Sequence, residues 1–402
     1  MIPVSARNWE AICKDAPDPM RHSWVLTKAT LMRRTFLCGL VTFIAACTFA
    51  PAQPVPPRHK TQRIIFVMTD GLRWQEVFNG ADINLMNKEN GGVENPAPLK
   101  KLYWREDLNA RRQALMPFLW TTVARQGQLY GNRKAGSDAF VTNGLNFSYP
   151  GYNETLTGFP DPRINSNDKN LNPNVTVLEW LHRKPAFQGD AGVAAFGAWD
   201  CFPYIFNAKR AGFLVNAGYD PLTSITLTPR LELLNQLKAE EPPYLEEEPV
   251  DAITFHTALE YMKARQPKIL YVSLGETDEW AHKGDYPEYL AAAHRADSYL
   301  KMLWDTAQSL PAYRGVTTLV FSPDHGRGDA PLGWKDHGEK VPQSKYIWMM
   351  FLGPDTAPLG ERSHIAPVTQ SQIAATIAAL LGEDYKAAVP KAGAPIRDVL
   401  AK

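Results

Sequence analysis

Three continuous apolar runs in this chain each break off in an acidic turn, and that pattern limits the fold more than any other feature. Residues 63–68, Arg-Ile-Ile-Phe-Val-Met, lead into Thr69-Asp70-Gly71. Residues 268–273 lead into Gly275-Glu276-Thr277-Asp278, and residues 317–322 into Pro323-Asp324-His325-Gly326. An unbroken apolar run of strand length reads as a strand buried on both faces, as in the middle of a parallel sheet. Parallel neighbours need long crossovers, usually helical.

Helical patterns do lie between the runs. Residues 117–126 and 175–183 read as amphipathic helices, and 289–310 repeats Leu290, Ala293, Ala296, Leu300 and Leu303 at helical spacing. Residues 369–381 open on Thr369 with Gln372 three positions on, a capping-box pattern. Residues 192–196 and 346–352 add two more strands. The alternation predicts an α/β fold with a mainly parallel central sheet and helices on both faces. Sites in such sheets form at the carboxyl ends of the strands, where Asp70, Asp278 and Asp324 fall. Two stretches fit the alternation poorly: 79–116, rich in Asn, Gly, Pro and charge, and 203–250, with its acidic run 240–248. Both are expected as insertions over the sheet edge, either solvated excursions or lids.

The chemistry-bearing residues cluster in the same turns. In Asp278-x-x-x-His282, four-residue spacing puts both side chains on one helix face, although a surface ion pair has the same spacing. Asp324-His325-Gly326 sets two ligand-type residues before a glycine that permits a tight turn. His337-Gly338 follows in a loop. With Asp70 these make three carboxylates and three imidazoles, a mixed set that suits zinc, with manganese or iron possible. Six ligands are too many for one tetrahedral ion and enough for two, which together can clamp an in-line displacement. Ser148, in Asn146-Phe147-Ser148-Tyr149-Pro150-Gly151-Tyr152, is the candidate nucleophile; a turn serine is the plainer reading.

Taken in order, these motifs resemble the alkaline phosphatase superfamily, and within it the nucleotide pyrophosphatase/phosphodiesterase branch. The resemblance runs from Arg63 to Leu381. It implies an alkaline-phosphatase-like fold with two zinc ions, one held by Asp278, His282 and His337 and the other by Asp70, Asp324 and His325. Ser148 would bridge toward the substrate and form a phosphoseryl intermediate. Asn167, with Asn165 close behind, matches the asparagine that holds a phosphoryl oxygen. Arg163 could bind a phosphoryl group in a monoesterase, or be a plain exposed arginine.

The departures also carry information. The 77 residues between Asp70 and Ser148 exceed the branch's usual spacing, which fits an insertion at 79–116. Serine in place of threonine is shared with the monoesterases, so phosphodiesterase and phosphatase both stay open. Sulfatases of the superfamily use Cys/Ser-x-Pro-x-Arg, and Ser148-Tyr149-Pro150-Gly151-Tyr152 lacks the arginine. A sulfatase-like or phosphotransferase member, or a non-catalytic metal-binding protein, are the rival readings.

The N-terminus reads as an export signal. Met32-Arg33-Arg34-Thr35 precedes an apolar run at 36–46 and then small residues. Ala50-Pro51-Ala52 before Gln53 fits cleavage, Ile44-Ala45-Ala46-Cys47 resembles a lipobox that would lipidate Cys47, and residues 33–37 resemble a twin-arginine signal. Residues 1–52 are therefore expected as an upstream extension and signal, 53–62 as a linker, and 63–402 as a single hydrolase domain, periplasmic or extracellular. Of four cysteines only Cys201 lies in that domain, as a small buried hydrophobe. The net charge of +1, or −2 without residues 1–52, points away from nucleic acid and toward a small phosphate ester as partner. Oligomeric state is not legible.

Overall fold

The strands most exposed to prediction are the ones buried most completely. A computed structural model describes residues 59–400 except 243, 244 and 246. The expected export signal, Cys47 and the first part of the linker lie outside the described residues. In chain order the strands are β1 (Arg63–Thr69), β2 (Gln128–Tyr130), β3 (Ala139–Phe140), β4 (Val193–Gly197), β5 (Leu214–Ala217), β6 (Ile269–Leu274), β7 (Thr317–Pro323), β8 (Met349–Leu352), β9 (Gly360–Glu361) and β10 (Val368–Thr369). Eight form one sheet in the order β5-β4-β6-β1-β7-β8-β2-β9, and β3 pairs with β10. β5, β4, β6, β1 and β7 run parallel, while β8 is antiparallel to β7 and to β2.

β1 is central, with Val67 level with Val272 of β6 and Phe321 of β7. Its residues alternate between two cores: Ile65 and Val67 face one, Ile64, Phe66 and Met68 the other. The main helices are α1 (Pro96–Tyr103), α2 (Leu108–Leu115), α3 (Ser148–Thr157), α4 (Val177–His182), α5 (Pro229–Glu240), α6 (Asp251–Arg265), α7 (Glu276–His282), α8 (Tyr286–Ser309) and α9 (Ile373–Leu380). α1, α2, α6 and α8 cover the first face, and α3, α4 and α9 the second. This is the mainly parallel, two-faced α/β arrangement expected.

The predicted elements shift by a few residues at most where the periodicity was strong. α8 starts at Tyr286, where Asp285 caps it by accepting from the Glu288 N–H. The helix over 117–126 contains a π-helical turn at Leu119–Val123. The expected excursions are more integrated than their composition suggests. Within 79–116, short helices start on the side chains of Asp82, Asn87, Asn95 and Asp107, and Leu85, Val93, Leu99, Tyr103 and Leu115 enter the core. Within 203–250, β5 is a strand of the main sheet. It escapes the pattern because Asn216, which is buried and donates to the Asp220 carbonyl at 3.0 Å, interrupts the apolar run. The last linker residues are also pinned: the Thr61 N–H donates to Asp355 Oδ2 at 2.7 Å, and Thr61 is buried.

The capping box before α9 is formed as read. The Thr369 side chain accepts from the Gln372 N–H, and the Thr369 N–H donates to Gln372 Oε1 at 2.9 Å. Thr369→Ala is expected to lower unfolding free energy by about 1 kcal/mol, read as a shift of the urea midpoint at constant slope.

Candidate metal centre

The sheet brings the expected residues to one place. Asp70 follows β1, Asp324 follows β7, and Asp278 and His282 lie on α7 just beyond β6. His337 reaches in from the loop after β7. Ser148 is the first residue of α3, whose N-cap residue Phe147 offers no side-chain cap. Gly151, one turn on, makes this delivery possible: a Cβ there would sit 2.3 Å from the Asp324 carbonyl oxygen. Any larger residue would push Ser148 away from Asp324.

Asp70, Asp324 and His325 share one pattern. Asp324 Oδ1 accepts from the Gly71 N–H at 3.1 Å and the His325 N–H at 2.8 Å, while Oδ2 is buried without a partner. Asp70 Oδ2 accepts from the Tyr152 hydroxyl at 3.2 Å, while Oδ1 has no partner. His325 Nδ1 donates to the Gly326 carbonyl at 2.8 Å, which leaves Nε2 as a bare lone pair. His325 Nε2 lies 3.0 Å from Asp70 Oδ1 and 3.5 Å from Asp324 Oδ2. Each side chain is thus held by one atom and offers the other, the usual arrangement of ligands oriented by outer hydrogen bonds.

The second set lies beside it. His282 Nε2 is 3.0 Å from Asp278 Oδ2 and 2.9 Å from His337 Nε2. His337 Nδ1 faces the Asn146 carbonyl at 3.3 Å, so its Nε2 also points inward. Two inward imidazole nitrogens this close share either one ring's own N–H or a metal ion. The potential ligand atoms of Asp278, His282 and His337 lie within 4.8 Å of one another, as do those of Asp70, Asp278 and His325. Asp278 therefore stands between the sets rather than in one alone.

Electrostatics favours an added cation. Burial, then neighbouring carboxylates, push Asp70 and Asp324 well above the usual carboxylate range. Burial acts the same way on Asp278, but contact with the Arg327 guanidinium and the nearby histidines hold it well below. Burial lowers His325 to about 4, so it is neutral and available to coordinate. Arg327 is fully buried, and its Nε donates to the Trp334 carbonyl at 2.9 Å. One arginine against three carboxylates leaves room for divalent charge, and the residues fit metal ions.

Not every expected residue arrives. Asn167 lines the cavity beside Ser148, and its Oδ1 accepts from the Tyr149 N–H at 3.0 Å. Arg163 and Asn165 do not line it. The Arg163 guanidinium is taken by Asp161 at 2.6 Å and by Asn174 at 3.0 Å, because both carry acceptors nearer than the site. The assignment of a phosphoryl contact to Arg163 or Asn165 is therefore dropped. Tyr152 and Arg327 were missed; Tyr152 stands four residues after Ser148 on the same helix face, and Arg327 two residues after His325. Cys201 is buried and free, as expected.

Solved structures share this architecture. The alkaline phosphatase PafA gives a TM-score of 0.54 at 11% identity, covering 86% of this chain and 100% of that one. The phosphonate monoester hydrolase SpPMH from Silicibacter pomeroyi gives 0.52 at 14%, covering 85% and 76%. The lipoteichoic acid synthase LtaP from Listeria monocytogenes gives 0.51 at 14%, covering 81% and 72%. At such identities the likeness is one of fold. A search of curated sequences finds no match. The family model for type I phosphodiesterase / nucleotide pyrophosphatase matches residues 66–349, and the chain belongs to that family.

Tyr152→Phe removes the hydroxyl that orients Asp70. Divalent-metal affinity, read by competition with a chelator, is expected to fall roughly tenfold or more, with the far-ultraviolet circular dichroism unchanged. Unaltered affinity would mean that this hydrogen bond does not position the carboxylate.

Proposed function

We propose that this chain hydrolyses phosphodiesters with two divalent metal ions, Ser148 as nucleophile and a phosphoseryl intermediate. The observation that carries this is the set of buried atoms without a partner, Asp70 Oδ1 and Asp324 Oδ2 at 3.0 and 3.5 Å from His325 Nε2, in a site whose cavity Ser148 also lines. Asp278, His282 and His337 would hold one ion, and Asp70, Asp324 and His325 the other. The mixed donors suit zinc, with manganese and iron compatible. Such ions supply positive charge against the phosphoryl oxygens and favour the ionised serine hydroxyl.

The chain's own groups account for the rest. Ser148 Oγ has no hydrogen bond among the described residues and opens on a cavity of about 390 Å³. Oγ forms a bond to phosphorus as one ester oxygen leaves, and water then breaks the phosphoserine bond and restores the hydroxyl. The amide nitrogen of Asn167, whose oxygen is already used, is free to donate to a phosphoryl oxygen. The N-terminus of α3 favours negative charge at the same spot.

The cavity also favours a diester over a monoester. No lysine or arginine among the described residues lines it. A monoester dianion would bring a second charge with no basic side chain to meet it, whereas a diester carries one. The pattern at residues 33–46 supports export, either as a cleaved soluble enzyme or with a lipid on Cys47.

Ser148→Ala is expected to lower turnover of bis(p-nitrophenyl) phosphate by roughly 10³-fold or more while bound metal stays at the wild-type level. Wild-type protein is expected to prefer that diester to p-nitrophenyl phosphate. Retained turnover in the variant would remove Ser148 from the reaction.

A further inference from the structure

One buried acid lies outside the candidate centre and still bears on two parts of it. Glu154 sits on α3, six residues after Ser148, and is fully buried. Five donors, all neutral, meet at its carboxylate. Oε1 accepts from the Thr142 and Ser371 hydroxyls, each at 2.6 Å. Oε2 accepts from the Asn143 N–H at 2.9 Å and from the Asn143 side-chain amide at 3.1 Å. The Thr142 N–H lies 3.0 Å from both oxygens. An ionised carboxylate suits this place because it accepts at two oxygens and donates nothing.

Those bonds fold the turn that leads into the candidate nucleophile. Asn143, held by Glu154, points its own Oδ1 at the N–H groups of Leu145 and Asn146, at 2.9 and 3.0 Å. Asn146 takes a φ of +54°. That left-handed conformation costs a non-glycine residue free energy and persists where neighbouring bonds impose it. The Asn146 side-chain oxygen is buried without a partner, so it adds nothing to that hold. Two residues on, the chain enters α3 at Ser148.

The same turn reaches the metal-facing side. The Asn146 carbonyl accepts from the Gly338 N–H at 3.0 Å and faces His337 Nδ1 at 3.3 Å. His337 is thus held both through the next residue's backbone and by its ring, with Nε2 left 2.9 Å from His282 Nε2 and 3.6 Å from Asp278 Oδ1.

We propose that Glu154, acting through Asn143, is a positioning residue that places Ser148 and His337 together, so that a fault in this one turn misplaces both. The inference rests on the two-metal reading above.

The test pairs zinc affinities, read by competition with a chelator, with hydrolysis of bis(p-nitrophenyl) phosphate. Glu154→Gln keeps the shape but sets an N–H2 group against donors. It is expected to weaken one of two bound zinc ions roughly tenfold and to leave the other unchanged. In a His282→Ala background, which has lost the ion beside His337, it is expected to change nothing further. At saturating zinc, kcat is expected to stay roughly tenfold or more below wild type with KM unchanged, because Ser148 is still displaced. Asn143 is only half-buried, so Asn143→Ala serves if Glu154→Gln fails to fold. It should reproduce both effects, and Asn143→Ser, whose hydroxyl can accept from the same N–H groups, should recover most of each. Wild-type affinities and kcat in the folded variants, with only a lower melting temperature, would overturn the proposal and leave the two-metal reading intact. Equal weakening of both ions would overturn it too. Zinc binding without turnover in the wild type would end the hydrolysis reading alone, and the affinities would still decide the positioning. A wild type that binds no zinc would overturn both.

Discussion

The structure is organised around a concentration of buried negative charge that its own basic residues do not neutralise. Asp70, Asp278 and Asp324 meet at the carboxyl ends of three adjacent parallel strands, and Arg327 is the buried guanidinium that touches Asp278. Two unit charges about 4 Å apart interact by roughly 4 kcal/mol at an effective dielectric near 20. Three carboxylates against one arginine cannot all stay ionised at that strength without further positive charge. The free atoms of Asp70, Asp324 and His325, together with the inward nitrogens of His282 and His337, mark where that charge belongs.

The sheet and the second core exist, in this view, to hold those atoms still. Each free ligand atom has a tethered sibling; two tethers come from distant elements, Tyr152 on α3 and the Gly71 backbone after β1, and the third is the Gly326 carbonyl next to His325. Gly71 shows how little slack remains. Its φ is +58°, and a Cβ there would lie 2.7 Å from both Arg327 Nη1 and Asp278 Oδ1. Close packing at Gly151 serves the same end from the other side, bringing α3 against the Asp324 backbone so that Ser148 faces the cluster.

How much of this was legible in the sequence follows from what each residue's role depends on. β1, β6 and β7 were readable because a strand buried on both faces has to be apolar throughout, and the three aspartates were readable because they end those runs. The edge strand β5 was not, since a buried asparagine, Asn216, bonded to the Asp220 carbonyl, breaks its short apolar run. Side chains with metal-ligand chemistry could be named by type and order. The residues that orient them could not: Tyr152 meets Asp70 across 82 positions and Arg327 meets Asp278 across 49. Arg163, read either as a phosphoryl contact or as a plain exposed arginine, turns its side chain to Asp161. Glu248 sat inside an acidic run that reads as solvated, and only the fold buries it.

The central claim is that the two ligand sets hold two ions, and native mass spectrometry of the protein purified without chelator addresses it directly. Two divalent ions per chain, with one lost in His282→Ala and the other retained, is the predicted result. A single ion or none after loading with zinc or manganese, or a count of two that survives the loss of His282, would contradict it.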